Sequence, residues 1–379
     1  MLLIPLMNRR SLRPFAAVLV LATIAGPAFA GETLGPDPAQ LKKSREKGIE
    51  FLKNSQREDG TWTTPDMIGI SALCVHGLMQ AGVPASDPAV AKALKKIESL
   101  AQEDGRICSA KSRIAGYETA ICVMVLSSAD KEKYKPLIDK ADKFLRGLQF
   151  DESKGVEKSD ARYGGTGYGP GGGRPDLSNT VFLLEALQAS GAGANDPAVQ
   201  KALVFVSRCQ NLETEFNQTP PAPKVNDGGF FYTAGEKASS PAGKTEDGGL
   251  RSYGSMTYGG FKSMLYAGLD EKDPRVKAAL TWIRKNYTVE ENPSYGDNGL
   301  YYYYYLFAKA MAASKQDRLE DAKGIKHDWR KELAEHLFKL QQENGSWLNS
   351  KSDRYFEANP DLVTAYVLTA LKQCEAPSK

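Results

Sequence analysis

Two kinds of helical segment alternate along the chain. In residues 87–101 the apolar positions recur at helical spacing on one face, whereas residues 176–190 are apolar nearly all round. A helix with a single apolar stripe covers a core, and a helix that is apolar all round is buried on most sides. The alternation therefore predicts amphipathic outer helices that pack against apolar inner helices.

The same reading extends over most of the sequence and predicts six helical hairpins. The predicted outer helices are residues 38–54, 87–101, 132–148, 196–210, 271–286 and 328–341. The predicted inner helices are residues 66–82, 116–127, 176–190, 254–267, 299–312 and 361–373. Alternation typical of a strand is not found over any useful length.

Repeated start signals support the same six units. Three outer helices begin with Asp-Pro, at Asp87, Asp196 and Asp273. An Asp side chain accepts the unpaired amide hydrogens of a first helical turn, and Pro has no amide hydrogen to lose there. Pro-Asp also precedes three inner helices, and Asp66, Asp176 and Asp361 are predicted to cap them.

A third repeated element follows the outer helices. It runs from Gln56 through Asp59-Gly60 to Trp62 and returns from Gln342 to Trp347. Weaker copies lie at residues 102–105 and 210–230. Asp-Gly or Asn-Gly suits a tight turn, because Gly adopts positive φ without strain. We expect the Gln to bond backbone groups at a helix end and the aromatic ring to pack into the next unit.

The stacking of these hairpins predicts the fold class. A single hairpin cannot bury its apolar face, and an open stack needs polar capping repeats at its ends. Neither end of this chain differs from the middle. The sequence therefore predicts one all-α domain over residues 31–379, a toroid of six helical hairpins with its core at about 38–375.

The first thirty residues have the features of a signal peptide. Three arginines, the last of them Arg13, precede an apolar run at residues 15–24, and Ala28-Phe29-Ala30 fits a signal-peptidase site. We expect cleavage near Ala30, a periplasmic or extracellular location and no transmembrane segment in the mature chain. The alternative is a retained N-terminal anchor.

Charge and cysteine content narrow the range of partners. The formal net charge of +3 falls to zero once the three N-terminal arginines are removed, so nucleic acid is not expected as a partner. The five cysteines are odd in number and lack CxxC spacing, which argues against a disulfide framework. Cys74 and Cys122 are predicted to lie in the core, while one disulfide that involves Cys108 remains open.

The Gln–Gly–Trp element resembles the QW motif of squalene and hopene cyclases. The helical alternation resembles the α/α toroids of those cyclases and of prenyltransferase β subunits, and the resemblance covers about residues 38–375. In such cyclases an Asp-x-Asp-Asp-Thr motif supplies the proton that starts cyclisation. The corresponding residues here are Asp176, Leu177, Ser178, Asn179 and Thr180. Ser178 and Asn179 cannot donate a strongly acidic proton, so the usual reaction is not expected.

The sequence also lacks the pattern of zinc ligands that the prenyltransferase resemblance implies. Asp297 stands at a suitable place, but the following tyrosine run contains no Cys. His76 on an apolar inner helix is expected to be a hydrogen-bonded core residue, and His327 and His336 belong to the outer layer. We therefore expect neither a metal nor another cofactor.

The remaining candidates are polar and aromatic side chains near the N-terminal ends of the inner helices, which are expected to surround one mouth of the ring. Glu118 and Asp176 are weak catalytic candidates, and Glu118 should have a raised pKa unless Arg113 or Arg251 pairs with it. The candidate ligand-binding residues are Tyr117, Glu118, Tyr168, Asp176, Ser178, Asn179, Arg251, Tyr253, Tyr258, Asp297 and Tyr301. The Gly-rich segment 164–173 is either a plain connection or a lip over this mouth.

Three hypotheses of function follow. The first is an exported protein that binds an apolar or isoprenoid small molecule in the ring. The second is a terpenoid cyclase or prenyl-transferring enzyme with relocated catalytic groups. The third is a hydrolase or lyase acting on carbohydrate, since paired-helix rings also carry such enzymes. A cavity lined by apolar side chains favours the first hypothesis, and a polar cleft with two facing carboxylates favours the third.

Overall fold

The computed structural model describes residue 1, residues 34–170 and residues 173–376. Apart from residue 1, the predicted signal peptide lies outside these described residues. Residues 34–376 belong to one compact unit. Within the described residues no helix is long and apolar enough to cross a membrane.

The described part of the chain contains thirteen α-helices and one short antiparallel pair of strands. The helices are α1 Pro38–Ser55, α2 Ile68–Gln80, α3 Pro88–Ser99, α4 Ala115–Asp130, α5 Lys135–Arg146, α6 Leu177–Ser190, α7 Pro197–Arg208, α8 Ala222–Val225, α9 Gly254–Tyr266, α10 Pro274–Lys285, α11 Leu300–Ser314, α12 Trp329–Leu340 and α13 Pro360–Gln373. The strands are β1 Leu319–Glu320 and β2 Lys326–His327. The twelve predicted helices are all present, and α8 is a single additional turn.

The inner helices form a closed ring. Helices α2, α4, α6, α9, α11 and α13 each pack against the next, and α13 packs back against α2. The outer helices lie against this ring; α1, for example, contacts both α13 and α2. The predicted all-α toroid is thus confirmed, with apolar helices inside and amphipathic helices outside.

Aspartate caps begin the outer helices as predicted. The side chains of Asp87, Asp196 and Asp273 accept backbone amides of the first turns of α3, α7 and α10. Asp176 caps the inner helix α6 in the same way. The prediction fails at Asp66, because α2 begins after Met67 and has no side-chain cap. It also fails at the start of α13, where Asn359 is the cap and Asp361 lies in the first turn.

Glutamine turns join neighbouring outer helices. The side-chain amide of Gln56 donates to the carbonyl of Gly60 in its own turn and to the carbonyl of Ala89 in α3. Gln210 makes the matching pair of bonds to Gly228 and Arg275. Because one amide donates both to its own turn and to a carbonyl of the next outer helix, each such turn connects one unit to the next.

Two of these turns differ from the sequence prediction. Gln149 forms one with Gly164 and Ala198, although fifteen residues separate the Gln from its Gly. At the C-terminal copy, the residue that makes the bonds is Gln341 rather than Gln342. The Gln341 amide donates to Gly345 and to Ser44 of α1, both at 2.9 Å, and so connects the last outer helix to the first.

The seam between α2 and α13 closes the inner ring. Gly77 of α2 lies so close to α13 that a Cβ atom there would stand 2.9 Å from the carbonyl oxygen of Ala365. Trp347 packs nearby and donates its indole hydrogen to the carbonyl of Leu337. Arg45 of α1 donates to Ala81 at the end of α2. Close packing and hydrogen bonds therefore hold the two ends of the chain together.

The five cysteines are buried and free. Cys74 and Cys122 lie in the core as predicted, and the disulfide left open for Cys108 is not formed. Burial raises the pKa of every one of these thiols, which for Cys108 reaches about 11.

The glutamine turn that closes the ring can be tested with an adjacent pair of residues. Gln341→Ala removes two hydrogen bonds to backbone carbonyls, and we expect it to lower the free energy of unfolding by about 1–3 kcal/mol. Gln342 is exposed, so Gln342→Ala should change it by less than about 0.5 kcal/mol. Urea unfolding of both variants measures the difference, and equal effects would contradict the proposed role of the turn.

Candidate functional site

The first turns of all six inner helices surround one cavity of about 320 Å³ at one end of the ring. That volume lies at the lower end of the range of small-molecule sites, roughly 300–1,000 Å³. Ten aromatic side chains line the cavity: Tyr117, Tyr168, Phe182, Tyr232, Tyr253, Tyr295, Tyr302, Tyr355, Phe356 and Tyr366. The other lining residues are Met67, Gly69, Ile70, Ile114, Glu118, Ser178, Ser255, Met256, Asn292, Gly299, Glu357 and Leu362.

Four aromatic rings pack together at the centre of this lining. Tyr117 meets Phe182 edge-on with ring centroids 5.0 Å apart, and Phe182 stacks against Tyr302 at 6.2 Å. Tyr302 also contacts Tyr366 at 5.8 Å. The Tyr302 hydroxyl forms a 2.8 Å hydrogen bond with the hydroxyl of Ser178, which fixes the ring. The cavity thus has a rigid aromatic wall built from α4, α6, α11 and α13.

Exposed aromatic side chains form the outer edge of the cavity. Tyr355 and Phe356 are 49% and 60% exposed, and both have φ near +60°. The left-handed conformation costs a residue other than glycine roughly 1–2 kcal/mol. The hydroxyls of Tyr355 and Tyr295 lie 3.0 Å apart, and Arg354 lies over both rings. Neighbouring contacts therefore hold two strained aromatic residues at the mouth.

Glu118 lies in the first turn of α4 and is 1% exposed. Its carboxylate accepts the backbone amide of Gly69 at 3.3 Å and the hydroxyl of Ser112. Neither Arg113 nor Arg251 pairs with it, and burial raises its pKa, as anticipated for the unpaired carboxyl. Glu118 is thus a buried acid without a cationic partner among the described residues.

Glu357 is a second buried acid on the cavity wall, and it was not among the site residues predicted from the sequence. Residues 353–356 and 358 around it are exposed, yet Glu357 itself is 0% exposed. Its carboxylate accepts the amide of Tyr302 at 2.8 Å and the side-chain amide of Asn349 at 2.9 Å. Burial raises its pKa to about 7 despite these hydrogen bonds. It serves as the missing cap of α11, which begins at Gly299 without a side-chain cap of its own.

The structure brings five predicted site residues to the cavity: Tyr117, Glu118, Tyr168, Ser178 and Tyr253. Tyr168 belongs to the Gly-rich segment and is 46% exposed, so this segment does contribute to the mouth. The six predicted site residues that do not line the cavity are Asp176, Asn179, Arg251, Tyr258, Asp297 and Tyr301.

Asp176 and Asn179 lie behind the wall. The backbone and side-chain amides of Asn179 donate to the Asp176 carboxylate at 2.8 and 2.7 Å, in keeping with its role as a helix cap. Burial raises the pKa of Asp176 to about 6. Arg251 is exposed and donates to the carbonyl of Lys244, and Asp297 pairs with Lys351 at the surface.

The tyrosine run shows why Tyr301 does not line the cavity. Tyr301 packs edge-on against Tyr304, whose hydroxyl contacts His336 of the outer helix α12. Tyr258 and Tyr303 pack against each other. Tyr302 alone among the five consecutive tyrosines lines the cavity. Which tyrosine faces the cavity therefore depends on where α11 contacts its neighbours.

A buried polar cluster lies away from the cavity lining. Glu185 of α6 pairs with Lys262 of α9 and with Lys309 of α11, the latter at 2.6 Å, and accepts the Tyr305 hydroxyl at 3.0 Å. Burial lowers the pKa of both lysines, to about 7 for Lys309. Three inner helices are therefore joined by one carboxylate.

His76 lies in the core, but the hydrogen bond expected for it is incomplete. Its side chain is 5% exposed, and Nδ1 has no partner among the described residues. Burial, together with the charge of Lys309, lowers the pKa of His76 to about 3. The ring is therefore neutral at physiological pH. Nor do the described residues contain a group of three His, Cys, Asp or Glu side chains arranged for a metal ion.

Several lining residues were missed because they lie outside predicted helices. Tyr232, Tyr295, Tyr355 and Glu357 come from connecting segments whose path depends on tertiary contacts. Tyr366 lies within a predicted inner helix and could have been found, because its position one turn after Leu362 faces the same side.

Comparison with known proteins supports the fold alone. No family model matches the sequence, and the comparison with curated proteins finds no match. Similar solved structures include a protein from Actinoplanes, 15% identical, with a TM-score of 0.55 over 88% of this chain and 99% of that one. A possible member of the GH105 family from Klebsiella pneumoniae is 11% identical, with a TM-score of 0.54 over 94% of this chain and 98% of that one.

A terpene cyclase is among the similar structures as well. The type II terpene cyclase MstE from Scytonema, without ligand, is 13% identical, with a TM-score of 0.50 over 89% of this chain and 98% of that one. Identities this low show a shared α/α toroid and leave the chemistry to be argued from the cavity itself.

Glu357 makes stability depend on pH. Its folded-state pKa of about 7 exceeds the unfolded value of about 4.3, so between these pH values the folded chain holds a proton that the unfolded chain has released. The free energy of unfolding contributed by Glu357 therefore falls as pH rises through this window, by about 4 kcal/mol in all.

The Glu357→Gln variant lacks this titration. Subtracting its unfolding free energy from that of the unmodified protein at pH values from about 4 to 8 should show the fall and a plateau above about 8. A difference for Glu357→Gln that does not change with pH would contradict the raised pKa of Glu357 in the folded state.

Proposed function

We propose that this chain is an exported protein that binds a small, mainly apolar molecule of the isoprenoid class in the ring cavity. Ten of the twenty-two lining residues are aromatic, and this observation carries the proposal. Aromatic and aliphatic surfaces gain free energy by leaving water with an apolar ligand, and the few polar groups orient it. The signal-peptide pattern of residues 1–30 supports the proposed location.

The cavity lacks the groups that a diphosphate would need. Among the described residues that line it there is no Lys, Arg or His, and its two charged residues are the acids Glu118 and Glu357. Phosphate groups are held by Arg, Lys, metal ions or helix N-termini. Amides at the starts of α2 and α11 already donate to Glu118 and Glu357, and these acidic side chains repel a diphosphate. The ligand that fits is therefore an isoprenoid alcohol or hydrocarbon rather than a prenyl diphosphate.

The acids of the site favour binding over protonation of an alkene. Proton transfer to an alkene needs a strong acid, whereas burial raises the pKa of Glu118, Glu357 and Asp176. Ser178, at the position of the motif's central acid, hydrogen bonds to Tyr302 instead. These residues orient a ligand better than they start a cyclisation.

The proposal is tested by native mass spectrometry of protein purified from its host. We expect a retained molecule of a few hundred daltons, and geraniol or farnesol should exchange with it. Ser178→Phe places a bulky ring in the cavity and should lower occupancy at least tenfold, whereas Ser178→Ala should retain the ligand. An empty protein that binds neither alcohol would overturn the proposal.

Carbohydrate hydrolysis is the second candidate. The specific observation in its favour is the pair of buried acids with raised pKa on an aromatic wall, because glycosidases use a protonated carboxylic acid and a second carboxylate. Tyrosine rings also suit the apolar faces of sugars.

A panel of oligosaccharides separates the two functions. If the protein hydrolyses a glycan, new reducing ends should appear. Both Glu118→Gln and Glu357→Gln should then lower the rate of their release by more than about a hundredfold, since general acid–base groups contribute about 10²–10⁴-fold. Prenyl-alcohol binding without such release would leave the binding function as the supported one.

A further inference from the structure

The two acids on the cavity wall accept hydrogen bonds but have no cationic side chain as a partner among the described residues. Glu118 and Glu357 are 1% and 0% exposed, and neither forms an ion pair with a described residue. A buried charge is usually paired, because loss of hydration costs several kcal/mol that an opposite charge must offset. The acid Glu185 follows this rule, with two lysines around it.

The wall around these acids is the type of surface that attracts a cation. Aromatic faces carry negative potential, and a cation within about 6 Å of a ring centroid is attracted to it. The rings of Tyr117, Tyr302 and Tyr366 all line the cavity, and the last two lie 5.8 Å apart. Arg354 is exposed and lies over Tyr295 and Tyr355 without lining the cavity.

The hydrogen bonds of the acids restrict which cation fits. Glu118 already accepts Gly69 and Ser112, and Glu357 already accepts Tyr302 and Asn349. These bonds hold the two carboxylates in place on the cavity wall, where they contribute negative charge when ionised. A primary ammonium carries three N–H donors that need acceptors, and a mainly aromatic wall offers few, whereas a fully alkylated ammonium has no N–H to satisfy.

On the basis of the proposed function, we infer that the ligand carries a fully alkylated cation, such as a quaternary ammonium, at one end of its apolar body. The cation lies against the tyrosine rings, and the field of Glu118 and Glu357 balances its charge. The ligand thus supplies the positive charge that the chain itself leaves out of this cavity.

The test compares two probes of the same shape. One is hexanol with a trimethylammonium group at its far end, and the other carries a neutral tert-butyl group in that position. Calorimetry at pH about 8, above the pKa of about 7 of Glu357, should show the ammonium probe binding at least tenfold more tightly. Glu118→Gln keeps the shape of the side chain and should reduce this ratio at least threefold, while the exposed Glu343→Gln should preserve it.

Geraniol, measured alongside, keeps the two proposals distinguishable. If geraniol binds and the two probes bind equally, or the neutral probe binds more tightly, the cation inference is overturned and the apolar-ligand function stands. If neither geraniol nor either probe binds, both are overturned. A preference for the ammonium probe that Glu118→Gln leaves intact would also overturn the role assigned to this acid.

Discussion

Burial of the inner helices on every side is the constraint on which the rest of the structure depends. A helix that is apolar all round needs neighbours on both flanks, and only a closed ring provides them for the first and the last helix alike. The packing of α13 against α2 meets this need. Because all six inner helices begin at the same end, closure also brings their first turns around one cavity.

The units are joined by a small set of polar contacts that recurs around the ring. Each glutamine turn satisfies a carbonyl in the next outer helix, and Gln341 makes the last of these contacts with the first helix. Apolar packing along the inner helices is non-directional. The glutamine amides add direction at the four junctions where they occur, and there they set the register of one outer helix relative to the next.

The helices could be predicted because they depend on local chemistry. Part of the site could not, because tertiary contacts decide which residues form it. An aspartate cap acts within its own first turn, so Asp87 and Asp196 could be read from the sequence. The turn formed by Gln149 was not predicted, because a long insertion separates this residue from Gly164. Glu357 escaped because it lies in an exposed stretch, and only the contact with α11 buries it. Tyr302 and Tyr301 are alike in sequence and differ only in the neighbours that their faces meet.

The buried thiols have a consequence for how the chain reaches this state. In the folded ring all five are covered and have raised pKa values, so they react poorly with oxidants. In an unfolded chain the same thiols are accessible and can pair wrongly. Rapid enclosure of the inner helices therefore protects the chain against mispaired disulfides, a kinetic advantage that a slow-closing ring would lose.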